Sequence, residues 1–169
     1  MKKFAAVAVA VLFVGTLAAQ EDAGFRLNRG KIENLNESTM KVKDSSESAS
    51  YQATDGMKIN LDGKSKLSDL RNGDEITLIY SRQGDKNLIR EINNLPTAQG
   101  KLQSNEDGKL TLKTSDDKTL TIKTTDATKF SMNDKAARPA DPKQGDTIMV
   151  AYTKSGETYT ARFVSWQRK

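Results

Sequence analysis

The chain has 169 residues and a formal net charge of +5 at pH 7, and it contains no cysteine and no histidine. The missing residue types exclude a disulfide framework, thiol or histidine catalysis, and zinc sites of the usual Cys/His kind. The length allows one ordinary domain or two small ones.

The first 20 residues have the pattern of a secretory signal. Lys2 and Lys3 precede an apolar run from Phe4 to Ala19, which Gln20 ends. The run is shorter than the ~20 apolar residues that span a bilayer. We predict that residues 1–19 are a cleaved signal peptide. The mature protein is then periplasmic or secreted and has no transmembrane segment.

The rest of the chain contains a unit of about 70 residues twice. Gly30-Lys31-Ile32 recurs as Gly100-Lys101-Leu102, and the segment from Gly73 to Tyr80 recurs from Gly145 to Tyr152. The offset between the copies grows only between predicted strands. A duplicated fold diverges in this way because loops accept insertions, whereas a one-residue slip within a strand would turn its core face outward.

Apolar and polar residues alternate with a period of two inside each unit, which predicts strands. Leu110 and Leu112, for example, alternate with Lys109, Thr111 and Lys113. The predicted strands of the first unit are 28–35, 39–43, 49–61 with a break near Asp55-Gly56, 74–82 and 87–94. The second unit has counterparts of these strands.

A short helical turn is expected before the fourth strand of each unit. Leu67–Asn72 would form it in the first unit. Asp141–Gly145 would form it in the second, with Asp141 as N-cap and Pro142 at the first helical position. The predicted structural turn residues are Gly73, Asp74, Gly145 and Asp146.

Five short strands and a helical turn leave no room for two full sheets in each unit. This favours a small antiparallel barrel of five to six strands, OB-like or SH3-like, since closure removes the exposed strand edges. We therefore predict an all-β protein with two tandem barrels, residues 20–95 and 96–169, joined by a short linker. The alternative is one sandwich of seven to ten strands that exchanges strands between the units.

The first unit also resembles a known family. The segment from Asp62 to Ile76, with the Gly30-Lys31-Ile32 opening before it and Gly84 after it, resembles bacterial exported small β-barrel domains of unknown function. The second unit keeps Gly145–Ile148 but has Pro142 at the leucine position of the pattern. The resemblance implies a tandem of exported barrels, and it transfers no catalytic or binding residue.

The last predicted strand carries aromatic residues beside an arginine, a combination common in recognition surfaces. The candidate binding residues are Tyr152, Tyr159, Arg162 and Trp166. Alternatively, Trp166 plugs the open end of the second barrel or fills an interface between the barrels. The adjacent carboxylates Asp116 and Asp117 point to opposite faces at a turn, so they predict neither glycoside hydrolysis nor a metal site.

We predict an exported, non-catalytic binding or assembly module with no cofactor and with a protein or glycan partner in the envelope or outside the cell. The alternative is a binder of polyanions or polysaccharides, a class that covers nucleic acids and glycans, through the basic, aromatic-containing second unit, where residues 97–169 hold 13 basic and 9 acidic side chains. These cations are spread singly along the chain, so we expect no nucleic-acid partner.

Overall fold

A computed structural model describes residues 24–168, and it confirms the all-β prediction. The predicted signal peptide, residues 1–19, lies outside the described residues. The first barrel contains β1 (Arg26–Leu35), β2 (Thr39–Lys43), β3 (Ser48–Gln52), β4 (Lys58–Asn60), β5 (Glu75–Gln83) and β6 (Lys86–Asn93). The second contains β7 (Thr97–Glu106), β8 (Lys109–Thr114), β9 (Thr119–Lys123), β10 (Lys129–Met132), β11 (Lys135–Ala137), β12 (Thr147–Ser155) and β13 (Thr158–Trp166).

Both barrels have the same strand order. It is β1-β2-β3-β6-β5 in the first, closed by a parallel contact between Gln52 and Leu88, and β7-β8-β9-β13-β12 in the second, closed between Lys123 and Thr160. This order is consistent with an OB-like barrel. Within residues 24–168 each strand pairs only inside its own repeat, which excludes the sandwich with exchanged strands.

Two β-bulges lie at matching places in the repeats. The first puts an extra residue, Glu33 or Gln103, into the opening strand, and the second puts Arg90 or Arg162 into the closing strand. A bulge shifts the alternation of side chains along its strand. Strict alternation over the last strand therefore assigns the wrong face to every residue on one side of Arg162.

Each barrel has its own apolar core. The first consists of Ile32, Met40, Val42, Tyr51, Leu70, Ile76, Leu78, Ile89 and Ile92. The second consists of Leu102, Leu110, Leu112, Ile122, Phe130, Ile148, Val150, Ala161, Val164 and Trp166. Thirteen of the side chains in these two cores are Ile, Leu or Val at positions that the period-two pattern assigns to strands. Burial of such apolar surface is the main stabilising term.

A third apolar cluster joins the barrels. Phe25, Leu27 and Ile79 of the first barrel pack against Ala151 and Phe163 of the second. The rings of Phe25 and Phe163 meet edge to face with centroids 5.5 Å apart. Polar contacts surround this cluster: the Phe25 amide donates to Ser131 Oγ at 2.8 Å, and Arg26 Nη2 donates to Asp134 Oδ2 at 2.6 Å. The two barrels therefore pack against each other.

The helical turn is present only in the first repeat. Leu67–Asp69 forms one 3-10 turn, in which the Leu70 amide donates to the Leu67 carbonyl at 3.1 Å. The corresponding segment, Asp141–Gly145, contains turns and no helix. Pro142 takes the place of Leu70 and has no N–H to make this bond. The helical turn predicted for the second repeat was wrong for this reason.

The glycines that follow these segments adopt the same left-handed conformation, with φ of +93° at Gly73 and +90° at Gly145. Their amides donate to the carbonyls of Ile32 and Leu102 on the opening strands, at 2.7 and 2.8 Å. The Asp74 carboxylate then accepts from the Arg71 amide, and Asp146 accepts from the Lys143 amide, both at 2.8 Å. Each glycine–aspartate pair thus holds a turn against its opening strand.

We expect the substitution Gly73→Val to destabilise the protein by about 1–2 kcal/mol, because a β-branched residue resists positive φ. A Cβ at this position would have open space around it, so the expected loss comes from backbone strain and not from a clash of the Cβ. Urea unfolding followed by circular dichroism measures the effect. Asn72→Ala, on the neighbouring exposed residue, is the control, and an equal effect of both substitutions would contradict the prediction.

Candidate ligand-binding surfaces

The four predicted binding residues do not form one surface. Trp166 is only 3% exposed and belongs to the core of the second barrel, so it is removed from the candidate surface. Its strand passes the bulge at Arg162 before it reaches this position, and the indole therefore turns inward. Of the two alternatives considered for Trp166, it fills the barrel and not the interface between barrels.

Tyr152 and Tyr159 do come together. Their rings meet edge to face with centroids 5.4 Å apart, and both are partly buried against the second core. The Lys154 ammonium lies 5.5 Å from the centre of the Tyr159 ring, within range of a cation–π interaction. Arg162 is exposed and has no hydrogen bond or ring contact with either tyrosine. The pair and its lysine form a small surface at the β12–β13 hairpin.

The first repeat has a tyrosine pair of its own, which the sequence analysis missed. Tyr80 is the residue equivalent to Tyr152, and its ring meets that of Tyr51 with centroids 5.0 Å apart. Asn28 Nδ2 donates to Tyr51 Oη at 2.6 Å. The partner of Tyr80 comes from β3, whereas the partner of Tyr152 comes from β13. Comparison of the last strands of the two repeats therefore could not reveal the Tyr51–Tyr80 pair. The only sequence signal for this pair was the alignment of Tyr80 with Tyr152.

A groove of about 1090 Å³ surrounds this pair, and we name it the first-barrel groove. It runs between β1, the β2–β3 turn at 44–47, and the β5–β6 hairpin, and Thr97 and Gln99 of the second barrel reach its edge. Arg82 and Asn87 lie on its rim, where their side chains donate to the carbonyls of Gly84 at 3.2 Å and Ser50 at 3.1 Å. The groove thus combines the partly exposed ring of Tyr80 with amide and guanidinium donors.

The charges of the first-barrel groove balance. Five basic and five acidic residues line it. Arg29 Nε lies 3.0 Å from Glu75, and Arg26 is already held by Asp134. A groove with this composition does not favour a polyanion over other ligands, and its donors and acceptors suit a polar ligand of low net charge.

The two tyrosines of the groove stay neutral at physiological pH. Burial raises the pKa of Tyr51, and it also raises the pKa of Tyr80, although Arg26 opposes this effect. A phenol whose pKa lies above its usual range of about 10 is a poor general base and a poor nucleophile. Of the two, only Tyr80 is partly exposed and can offer ring surface and a hydrogen bond to a ligand, whereas Tyr51 is 2% exposed and supports the Tyr80 ring from below.

A second groove, of about 990 Å³, lies between the barrels. The loops 54–58 and 125–129, which occupy equivalent places in the two repeats, line its opposite sides. Phe25, Ile79 and Phe163 of the apolar cluster between the barrels form part of its wall.

Residues 24–168 contain no group of three or more acidic side chains close enough to hold a metal ion. No helix in the same part of the chain is long and apolar enough to cross a membrane.

No protein-family model and no curated protein matches the sequence. Among solved structures, the chain is similar to one described as "drosophila Unr CSD456", with 11% identity and a TM-score of 0.28. The match covers 85% of this chain and 62% of that structure, so the chain spans less than two thirds of its length. A TM-score this low carries no argument about function. The tandem OB-like barrels rest on the strand pairing, and membership in the exported bacterial family stays a prediction.

Proposed function

We propose that this chain is an exported, non-catalytic binding module that engages an envelope or extracellular partner through the first-barrel groove. Export is supported by the pattern of residues 1–20. Binding is supported by one observation above all, the open groove in which Tyr80, Asn28 and the rim donors converge above the buried Tyr51.

The chemistry of the groove favours a polar partner of low net charge, such as a peptide or a neutral glycan. The exposed part of the Tyr80 ring can pack against the apolar face of such a ligand, and the amide and guanidinium groups at the rim can exchange their present backbone partners for ligand oxygens. Because the charges balance, binding there should depend only weakly on salt.

The second repeat offers a smaller candidate surface than the sequence predicts. With Trp166 in the core, the surface at the β12–β13 hairpin keeps Tyr152, Tyr159 and Lys154. This surface is smaller than the predicted one, and Arg162 lies outside it. The alternative of a polyanion binder therefore requires another face of the second barrel.

Site-specific photocrosslinking in the native host tests the proposal. A photoreactive amino acid at Arg82, on the groove rim, should give a defined adduct, whereas the same amino acid at Lys66, exposed and away from the groove, should not. Lys154, the equivalent of Arg82 in the second repeat, is the matched comparison. The intact mass of the recovered protein should show that residues 1–19 are missing.

The partner identified at position 82 is then purified and titrated against the wild type and the double substitution Arg82→Ala and Asn87→Ala. We expect the affinity to fall about tenfold, since two hydrogen-bonding groups are lost. Adducts that form equally at positions 82 and 66, or unchanged affinity of the double variant, would contradict the assignment of the groove. A full-length mass would contradict export.

A further inference from the structure

We propose that the outer face of β7, β8 and β9 binds an anionic polysaccharide through two cross-strand pairs of lysines. This inference goes beyond the proposed function because it concerns another surface and another class of ligand. It holds whether or not the first-barrel groove has a partner, and its test involves none of the groove residues.

Four exposed lysines face outward from this sheet in fixed register. Lys101 on β7 lies directly opposite Lys113 on β8, and Lys109 on β8 lies directly opposite Lys123 on β9. Residues directly opposite each other in an antiparallel pair have Cβ atoms about 5 Å apart. The face therefore brings the lysines together in two pairs at opposite ends of β8.

These charges are poorly compensated within the protein. Of the four lysines, only Lys113 forms an ion pair within residues 24–168: its Nζ lies 3.0 Å from Asp117, and both side chains are at least half exposed. Glu106 lies across from Lys109 but makes no ion pair with it. Like charges directly opposite each other destabilise a sheet. An anion that bridges each pair would remove this repulsion.

Hydroxyl groups occupy the space between the lysine pairs. Thr111 on β8 lies opposite Thr121 on β9 and opposite Ser104 on β7. On the other side of the sheet, Leu110 and Ile122 are fully buried, which keeps the polar side chains facing outward. The face thus offers ammonium groups for carboxylate or sulfate and hydroxyl groups for the hydroxyls of a sugar chain.

The same face lacks what a single-stranded nucleic acid would need. No aromatic residue occurs anywhere in residues 97–123. Proteins that bind single strands stack the bases on aromatic side chains. Charge complementarity without a stacking platform favours a linear anionic polysaccharide.

Comparison with the first repeat shows that this lysine face is not a general property of the fold. Lys31 lies opposite Lys43 in the first repeat, at the place of the Lys101–Lys113 pair. The place of the Lys109–Lys123 pair is taken by Thr39 opposite Gln52. The second lysine pair therefore belongs to the second barrel alone, although the first three strands of both barrels pair in the same way.

The first repeat supplies the test substitutions. In the mature protein, Lys109→Thr and Lys123→Gln install the residues of the first repeat. They should leave the melting temperature nearly unchanged, because they remove a like-charge pair together with the opposite-charge neighbours Lys109 and Glu106. We expect the affinity for polygalacturonate, measured by calorimetry, to fall about tenfold. Wild-type binding should weaken as salt is added, and neutral dextran should not bind.

A variant with the same loss of charge on the first barrel, Lys66→Thr with Lys86→Gln, is the control, and its affinity should change less than twofold. Dextran sulfate distinguishes sulfate from carboxylate recognition within the same ligand class. Equal losses for both variants would show unspecific attraction to net charge and would overturn the site. Tighter binding of oligothymidylate than of either polysaccharide, or no binding of any polyanion to the wild type, would overturn the ligand class.

Discussion

Trp166→Ala is expected to destabilise the second barrel by about 3–5 kcal/mol, the usual cost of truncating a buried tryptophan. The indole is 3% exposed and packs in a core that includes Val164, Phe130 and Ile148. Its backbone is held on both sides, opposite Met132 on β10 and Ile148 on β12. The core therefore has little freedom to close around the cavity.

Urea unfolding followed by far-ultraviolet circular dichroism measures this loss, since Trp166 is the only tryptophan and its fluorescence disappears with it. Trp166→Phe is the matched control. The Nε1 atom is buried with no hydrogen-bond partner among the described residues, and an unsatisfied buried donor costs about 1–3 kcal/mol. Phenylalanine removes this donor and keeps most of the ring, so it should cost much less than alanine. A loss below about 1 kcal/mol for Trp166→Ala would show that the ring is exposed.

Gly30→Ala and Gly100→Ala are each expected to destabilise their own barrel by about 3 kcal/mol through overpacking. A Cβ on Gly30 would lie 2.2 Å from the Lys43 carbonyl oxygen, and one on Gly100 would lie 2.5 Å from that of Lys113. Both contacts are with backbone, which cannot rotate away as a side chain can. The first and second strands of each barrel would have to separate at this point.

Circular dichroism detects the loss in either barrel, and the fluorescence of Trp166 reports on the second. Gly84→Ala is the control, because Gly84 has φ of +58° but open space around it, so alanine there should cost only about 1 kcal/mol of backbone strain. If Gly30→Ala costs no more than Gly84→Ala, the close approach of the strands is not a constraint.

The proposed ligands use different surfaces and respond differently to salt. The first-barrel groove has balanced charge and a tyrosine pair, whereas the outer face of β7, β8 and β9 has paired lysines and no aromatic residue. Binding in the groove should be nearly independent of ionic strength, and binding on the lysine face should not. Two barrels with one strand order can thus carry two recognition surfaces, because the duplication has diverged in the side chains that face solvent.

The sequence by itself determined the fold class and the repeat. A period of two is a local property of a strand. Turn glycines such as Gly73 and Gly145 can be predicted from the sequence because few other residues adopt positive φ. The alignment of the two repeats then identified the equivalent strands from the sequence alone. The predicted second helical turn was wrong because Pro142 has no N–H for the hydrogen bond of that turn, although proline at the first helical position is a signal for the start of a helix.

Only the tertiary structure decided which faces of the strands are exposed to solvent. The bulge at Arg162 reverses the alternation along β13, and this placed Trp166 in the core. The Tyr51–Tyr80 contact and the Lys109–Lys123 pair each join residues that are distant in the chain, and they depend on strand register. Alternation in the sequence assigns side chains to the two faces of a strand. Strand pairing, barrel closure and bulges decide whether each face contacts the core, the other barrel or solvent. These three features depend on contacts between strands, which alternation within one strand does not describe.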